Sequence, residues 1–399
     1  MTREEVYNEC LKALGKSNSI LLELPTGYGK SKLSLDIVNY LAASPYYKNR
    51  KVTMLLLVAK RVHKQTWRDE MEKWGGVNAD VTIECYESLK KYQGKKFDIL
   101  LMDEVHHVGS DLRLELFSTV GYGYMLGLSA TIPRNLKQYF RYKYHSKVVS
   151  CDIIEAIEDE ILPEPEIVLM PLTLDNTAAT ETLVLNPKVS GPAVEIDYKD
   201  IRKYKFQKKV KVLVKCTPKQ KLMEINSQIL SEKNAYMRKR SKALETIWLY
   251  HCGKRLEYLS SLKNNLVLSI LKKLDRYRTI TFCKTIEQCE ILGKNCIHSK
   301  NLKSDDVYEK FNQKKLRHIT AVNILNENAN LVDCKYAIFA NMPASEVVQV
   351  QRIGRSLRHK SPVIIMPYYT GTREEELIEK VTEGFDKKYI RTIHSVEEI

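Results

Sequence analysis

The segment ILLELPTGYGKSKLSLDIVNYLAA at 20–43 constrains the fold more than any other part of the chain. A short strand-like run, Ile20–Leu24, apolar but for Glu23, leads through a loop with glycines at 27 and 29 into a stretch of helix formers, Lys32–Ala43. That order predicts a strand, a tight loop and a helix, the opening unit of a parallel sheet covered by helices. The glycines let backbone N–H groups close around an anion at the helix N-terminus, where the macrodipole also favours negative charge. Lys30 is placed to reach terminal phosphates and the Ser31 hydroxyl to ligate Mg²⁺. Thr26, Gly27, Tyr28, Gly29, Lys30 and Ser31 are therefore the candidate phosphate-binding residues. Leu24 stands where the usual GxxxxGK[ST] pattern begins with Gly, so the strand and helix context carries this assignment.

Up to about residue 150 the same alternation continues. Val52–Ala59, Val81–Cys85, Ile99–Met102 and Met125–Leu128 are the further strand candidates, and all but Val81–Cys85, where Thr82 and Glu84 alternate with apolar residues, are largely apolar on both faces, as expected when helices cover both sides of a parallel sheet. From Glu164 to Thr217 the pattern turns extended and Pro-marked, as in PEIVLMPLTL, and from Pro218 to about Asn264 helix formers dominate. Alternation resumes with Thr279–Cys283, Ile319–Leu325, Tyr336–Ala340 and Val363–Tyr368. The expected fold is α/β, with two parallel-sheet domains over 1–160 and 265–399 and a basic insert of strands and then helices over 161–264. At 399 residues the chain is long enough for two cores.

Two further stretches carry chemistry. FDILLMDEVHH ends a buried strand in Asp103 and Glu104, at the sheet edge where parallel α/β folds bind ligands. Asp103 would hold Mg²⁺ and Glu104 would orient or deprotonate an attacking water. QRIGRSLRHK places Gln351, Arg352, Arg355 and Arg358 at helical spacings of three and four, so their side chains share a face. Guanidinium forks suit phosphate oxygens, and an arginine from a second domain can stabilise charge developing in phosphoryl transfer. LGLSATIPR contributes Ser129 and Thr131 at another strand end.

The net charge is +15, and between Arg202 and Lys263 there are 17 Lys and Arg against 4 Asp and Glu, a local excess of +13. This concentration suits a polyanion, with Arg238, Lys239 and Arg240 its densest cluster and Tyr204, Phe206, Tyr236, Trp248, Tyr250 and Tyr258 interleaved as possible stacking partners. The nine cysteines include no CxxC pair, so neither a disulfide framework nor a zinc site is suggested. No apolar stretch approaches a membrane span, and the N-terminus, which carries acids and lacks an apolar core region, does not read as a secretory signal.

Taken in order, these motifs resemble those of the superfamily 2 helicases, over nearly all of 20–370. Motif I corresponds to 25–31, motif II to DEVH at 103–106, motif III to SAT at 129–131 and motif VI to 351–358. VAKRVHKQTW at 58–67 resembles motif Ia, ECYESLKKY the tyrosine-containing motif after it, TITFCKTIEQCE motif IV, and NILNENANLVD motif V. The resemblance implies two RecA-like domains that bind and hydrolyse Mg·ATP with Lys30, Ser31, Asp103 and Glu104. It further implies Arg355 and Arg358 as arginine fingers and Gln351 as a γ-phosphate sensor. His106, Ser129 and Thr131 would couple hydrolysis to domain movement, and Lys60, Arg61, Gln65, Tyr86, Lys284, Thr285 and Asn330 are candidates for contacts to one nucleic-acid strand.

Asn328 replaces the usual glycine of motif V, a position where Asn tolerates left-handed backbone. No aromatic-plus-Gln motif of the DEAD-box kind precedes the phosphate loop, which leaves base selectivity open. The basic insert is similar to inserted elements of phage UvsW-like and bacterial repair DNA helicases, implying a cytoplasmic protein of a bacterium or phage-infected cell. DNA is the expected partner. An RNA helicase and a nucleic-acid-binding ATP switch with little turnover remain open alternatives.

Overall fold

The computed structural model describes residues 1–48, 50–205, 207, 209–322, 331–344, 352–357 and 359–399. The first sheet contains β1 (Ser19–Glu23), β2 (Val52–Val58), β3 (Ala79–Cys85), β4 (Lys96–Met102), β5 (Gly121–Ser129) and β6 (Lys147–Ser150). Its order is β3-β2-β4-β5-β1-β6 and every pairing is parallel. The central strands are apolar on both faces: Leu21, Leu22, Leu55, Leu56, Leu100 and Leu101 are fully buried, so the residues that left no polar side to face water are those with helices on either side. This order places the ends of β2, β4, β5 and β1 side by side on one edge.

Helix α1 (Arg3–Leu14) precedes β1, capped by Thr2, whose hydroxyl accepts from Glu5 N–H while the Glu5 carboxylate accepts from Thr2 N–H. Helix α2 (Lys30–Ala42) follows the glycine loop, and α3 (Arg61–Lys73) follows β2.

The strands predicted between 164 and 217 divide between two sheets. β7 (Glu166–Leu172) has Ile167 and Val168 fully buried, so it needs cover on both faces. It finds that cover in the second large sheet. β8 (Glu181–Leu185), β9 (Val194–Asp197) and β10 (Val212–Cys216) form a separate mixed sheet over a small core of Ile201, Val212 and Val214. The helical half of the insert is a hairpin of Pro218–Lys239 and Lys242–Ser261. Thr217 and Gln220 form a capping box at its start, and the first helix ends on Arg240 in the left-handed region, at φ 48°.

The second large sheet adds β11 (Thr279–Phe282), β12 (Cys296–Ile297), β13 (His318–Ala321), β14 (Tyr336–Phe339), β15 (Val363–Tyr369) and β16 (Ile390–Thr392). Its order is β12-β13-β11-β14-β15-β7-β16, again all parallel. The expected two-sheet α/β architecture is therefore present, with β6, β12 and β16 as strands that the sequence pattern did not reveal. The insert is fastened to this second half by a buried ion pair. Lys263 Nζ lies 2.6 Å from Glu374 Oε1, and both side chains have no exposure.

Candidate nucleotide site and nucleic-acid face

The candidate site is built where the strands of the first sheet end. Gly27 and Gly29 sit at φ 99° and 100°, a region that L side chains rarely enter, which is why the loop needs glycine at both positions. Gly29 is the N-cap of α2 and supplies no side-chain cap. The first N–H groups of that helix are thus not taken up by a capping side chain, as an anion site requires. Lys30 Nζ donates to the carbonyls of Leu24 (2.9 Å) and Pro25 (3.3 Å), within the loop itself. Tyr28 has a different position from its neighbours. Its N–H donates to Pro25 O, its carbonyl accepts from Arg3 Nε (2.9 Å) and its hydroxyl donates to Met1 O (2.9 Å). Tyr28 therefore ties the loop to α1, and burial pushes its phenol well up.

Asp103 and Glu104 follow β4, both nearly buried at 6% and 3% exposure. Glu104 adopts φ 51°, ψ 59°. A non-glycine residue in this left-handed conformation costs about 1 kcal/mol or more, a strain that tends to persist where function over-determines the backbone. Asp103 Oδ2 accepts from Trp67 Nε1 at 2.9 Å, and its carbonyl accepts from the Tyr86 hydroxyl at 2.9 Å. Ser129, at the end of the neighbouring β5, places its hydroxyl 3.1 Å from Glu104 Oε2 and 2.9 Å from Thr131 O, and accepts from Thr131 N–H. His106 Nδ1 lies 3.0 Å from the same hydroxyl and 3.4 Å from Glu104 Oε2. His106, Ser129 and Thr131 are thus gathered around the carboxylate of Glu104.

The second half enters this site directly. Residues 352–356 form a helical turn whose Gly354 packs on Thr26, and Arg355 lines one cavity with Thr26, Gly27, Gly29, Lys30, Ser31, Asp103 and Glu104. That cavity measures about 280 Å³. Arg352 and Arg355 are buried, at 1% and 2% exposure, which excludes a solvated basic helix for these two residues. Arg352 donates to Asn341 O (3.1 Å) and stands over the Phe282 ring at 5.0 Å. Burial lowers it to about 10, so its guanidinium still carries charge at neutral pH. Gln351 and Arg358, the other two residues of this motif, lie outside the described residues, as do Asn328 and Asn330.

The donors present fit a magnesium nucleotide. A serine hydroxyl and a carboxylate are the hard oxygen ligands Mg²⁺ takes, and the helix N-terminus, Lys30 and Arg355 converge on the same space as phosphate partners. A second cavity of about 590 Å³ adjoins it, lined by Tyr7, Tyr28, Gly29, Lys32, Tyr40 and Trp74 among others. Sequence reasoning gave no role to Tyr7, Tyr40, Trp67 or Trp74. Tyr40 and Trp67 fell within stretches already singled out, but an aromatic ring on a helix that covers a sheet reads as ordinary core.

The strand-contact candidates separate into three groups. Lys60, Arg61 and Gln65 are exposed at the start of α3, on the sheet edge that carries the site. Thr285 caps the helix Ile286–Leu292, its hydroxyl accepting from Gln288 N–H, and Lys284 is half-buried beside it. Tyr86 is 2% exposed and directed at Asp103, so it supports the acid pair from below and has no face to offer a ligand. Arg238, Lys239 and Arg240 are exposed at the tip of the hairpin, behind a stacked Tyr236–Trp248 pair with ring centroids 5.6 Å apart. Lys263, counted in the basic excess, is instead the buried partner of Glu374.

Residues 2–134 match the family model described as type III restriction enzyme, res subunit, and residues 262–360 match the helicase conserved C-terminal domain. The DNA 3'-5' translocase XPB2 of Sulfurisphaera tokodaii is 24% identical over 393 residues, covering 94% of this chain and 80% of that protein. Among solved structures, the DNA-bound ATP-dependent type ISP restriction-modification enzyme LlaBIII superposes with a TM-score of 0.58 at 14% identity, over 99% of this chain and 31% of that one. A Saccharomyces cerevisiae Dbp5 variant bound to RNA and ADP BeF3 gives 0.58 at 11%, over 99% and 91%. At these identities the structural likeness is one of fold. With two RecA-like sheets and the res-subunit and helicase C-terminal matches following one another along them, the chain belongs to the superfamily 2 helicases.

Proposed function

We propose that this protein is an ATP-dependent DNA helicase or translocase whose two sheets close on Mg·ATP and convert that closure into movement along DNA. The observation that carries the reading is Arg355, buried in the second half yet lining the same cavity as Lys30, Ser31, Asp103 and Glu104 of the first. Lys30 and the N–H groups at the start of α2 bind the phosphates, and Ser31 and Asp103 would hold Mg²⁺, which would supply positive charge against that developing on the transferred phosphoryl group. Glu104 orients the attacking water and takes its proton. Arg355, with Arg358, neutralises charge from the opposite side, and Gln351 senses the γ-phosphate. The base rests in the aromatic cavity beside Tyr7 and Trp74, which supplies the stacking surface that the missing DEAD-box motif leaves unassigned.

His106, Ser129 and Thr131, gathered at Glu104, relay the state of the site to the domain interface. Lys60, Arg61, Gln65, Lys284 and Thr285 grip one strand across both domains, so that alternate closure and opening steps the protein along it. The tip residues Arg238, Lys239 and Arg240 add a phosphate clamp. DNA is favoured over RNA because the relative that this chain matches over most of both lengths is named a DNA translocase.

The test is ATP hydrolysis measured with single-stranded, duplex, forked and RNA ligands. Stimulation by DNA that is lost in Lys30→Ala is expected. Stimulation by RNA alone transfers the reading to an RNA helicase, and DNA-stimulated turnover that survives Lys30→Ala removes the mechanism.

A further inference from the structure

Helix α3 touches both ends of the proposed cycle. Its N-cap Lys60 and, within its first five residues, Arg61 and Gln65 are all exposed. Seven residues beyond Lys60, at about 1.5 Å of rise per residue, the buried Trp67 meets the acid pair. Its indole N–H donates to Asp103 Oδ2 at 2.9 Å, and Thr66, Glu70, Lys73 and Trp74 of the same region line the nucleotide cavity. The helix is also anchored sideways, through Lys64 Nζ to Glu84 Oε2 of β3 at 2.8 Å. A helix of this length moves as a rod, so a shift of its first turn is felt at Trp67.

Tyr86 completes the arrangement. It follows β3, is buried, and donates to the main-chain carbonyl of Asp103. The carboxylate and the carbonyl of Asp103 are therefore both held from the β2–β3 side of the sheet, whereas the phosphate loop lies on the β1 side. An indole N–H bound to one carboxylate oxygen fixes the rotation of that carboxylate, as outer-shell hydrogen bonds fix metal ligands generally.

We propose that Trp67 is a positioning residue that couples nucleic-acid contact at the start of α3 to the Mg²⁺-binding carboxylate of Asp103. This rests on the reading of the cleft as a Mg·ATP site. A strand that pulls on Lys60, Arg61 and Gln65 re-aims the Trp67 indole, and Asp103 turns with it; in the reverse direction, Mg²⁺ on Asp103 sets the pose of the helix that the strand meets. Linkage then requires each ligand to change the affinity of the other by the same factor.

The experiment uses the full chain and a fluorescein-labelled single-stranded DNA oligonucleotide. Its Kd is measured by anisotropy without nucleotide and with Mg²⁺ plus the non-hydrolysable analogue AMP-PNP, in wild type and in Trp67→Phe, which keeps an aromatic ring and removes the N–H. A wild-type ratio of at least fivefold between the two Kd values should collapse to within twofold of unity in Trp67→Phe, with the nucleotide-free Kd unchanged. The Mg²⁺ concentration for half-maximal binding of a fluorescent ATP analogue should rise by about tenfold. Should Phe prevent folding, benzothienylalanine at position 67 preserves the bicyclic shape while replacing the N–H with sulfur. A variant that retains both the wild-type ratio and the wild-type Mg²⁺ midpoint overturns the role of Trp67 alone. A wild-type protein whose affinity for AMP-PNP is unaffected by Mg²⁺ or by Lys30→Ala overturns the inference together with the nucleotide-site reading beneath it.

Discussion

Gly354 approaches Thr26 so closely that a Cβ on the glycine would stand 2.9 Å from Thr26 Cβ and 3.0 Å from the Thr26 carbonyl oxygen. This contact joins the basic motif of the second half to the phosphate loop of the first. Two of the three atoms it meets are backbone, so shortening the threonine would leave most of the clash in place. The glycine is therefore a requirement of the interface rather than of local backbone conformation.

Gly354→Ala should consequently impair closure while leaving each half folded. Overpacking of this kind costs about 1–3 kcal/mol, or roughly 5- to 150-fold in the population of the closed arrangement. The expected result is a matching fall in nucleic-acid-stimulated ATP turnover, with thermal unfolding of the free protein little changed. Turnover within twofold of wild type would show that the Thr26 contact is not kept in the working cycle.

The aromatic cavity beside the phosphate loop yields a prediction about nucleotide choice. Tyr7 and Trp74 line it and reach no phosphate-loop residue by hydrogen bond; the Trp74 indole donates instead to Glu70 Oε2 at 2.8 Å. Stacking of a base on an aromatic ring contributes about 1–3 kcal/mol. Tyr7→Leu and Trp74→Leu should each raise the KM for ATP by roughly 5- to 100-fold. Inhibition by tripolyphosphate, which has no base, should stay the same. Equal losses for both ligands would assign these residues to the phosphate site.

Lys263 and Glu374 permit a stability prediction independent of any ligand. Their ion pair has no exposure, Lys263 Nζ also donates to Pro367 O at 3.1 Å, and Glu374 Oε2 accepts from Tyr369 N–H. Removing one partner strands a buried charge, at a cost of about 3–5 kcal/mol. Lys263→Met should therefore lower the urea midpoint substantially. Adding Glu374→Gln, which removes the charge and keeps an oxygen for the Tyr369 N–H, should recover most of that loss. A double variant no better than the single one would mean that the charge itself was not the source of the cost.

Several parts of this arrangement were legible in the sequence because local pattern determines them. Asp103 and Glu104 close a run of apolar residues, and a strand that ends in two acids places them at the sheet edge whatever surrounds it. Gly27 and Gly29 were legible for the same reason. Strand β7 was visible as extended chain, but its partners were not, because joining β15 and β16 rather than β8 is decided by which sheet can cover both of its faces. β12 and β16 run only two and three residues, too short to show periodicity. Tyr86 was recognisable as a motif residue, yet the direction of a side chain just beyond a strand end is set by its neighbours, and here it points inward to Asp103. Burial of Arg352 and Arg355 was similarly hidden, since arginine defaults to solvent unless a partner surface takes it in.

The hairpin tip offers the most direct test of the polyanion reading. Arg238, Lys239 and Arg240 are exposed where the two helices reverse direction, and Arg240 stands 5.6 Å from the Tyr236 ring, which stacks on Trp248. Arg238 and Lys239 lie in the last turn of the helix and Arg240 is its C-cap, all exposed, so substitution there leaves the cores of both large sheets untouched. Each phosphate contact contributes about 0.9 to the slope of log K against log salt for duplex DNA. Replacing all three residues with Ala should weaken duplex binding at low salt and flatten that slope by up to about 2.7, while basal ATP hydrolysis remains at the wild-type rate. A parallel shift, with lower affinity at every salt concentration and no change of slope, would indicate that the tip acts through shape or protein contacts. Unchanged binding would make the hairpin a spacer, and the exposed charge at its end a solubility feature.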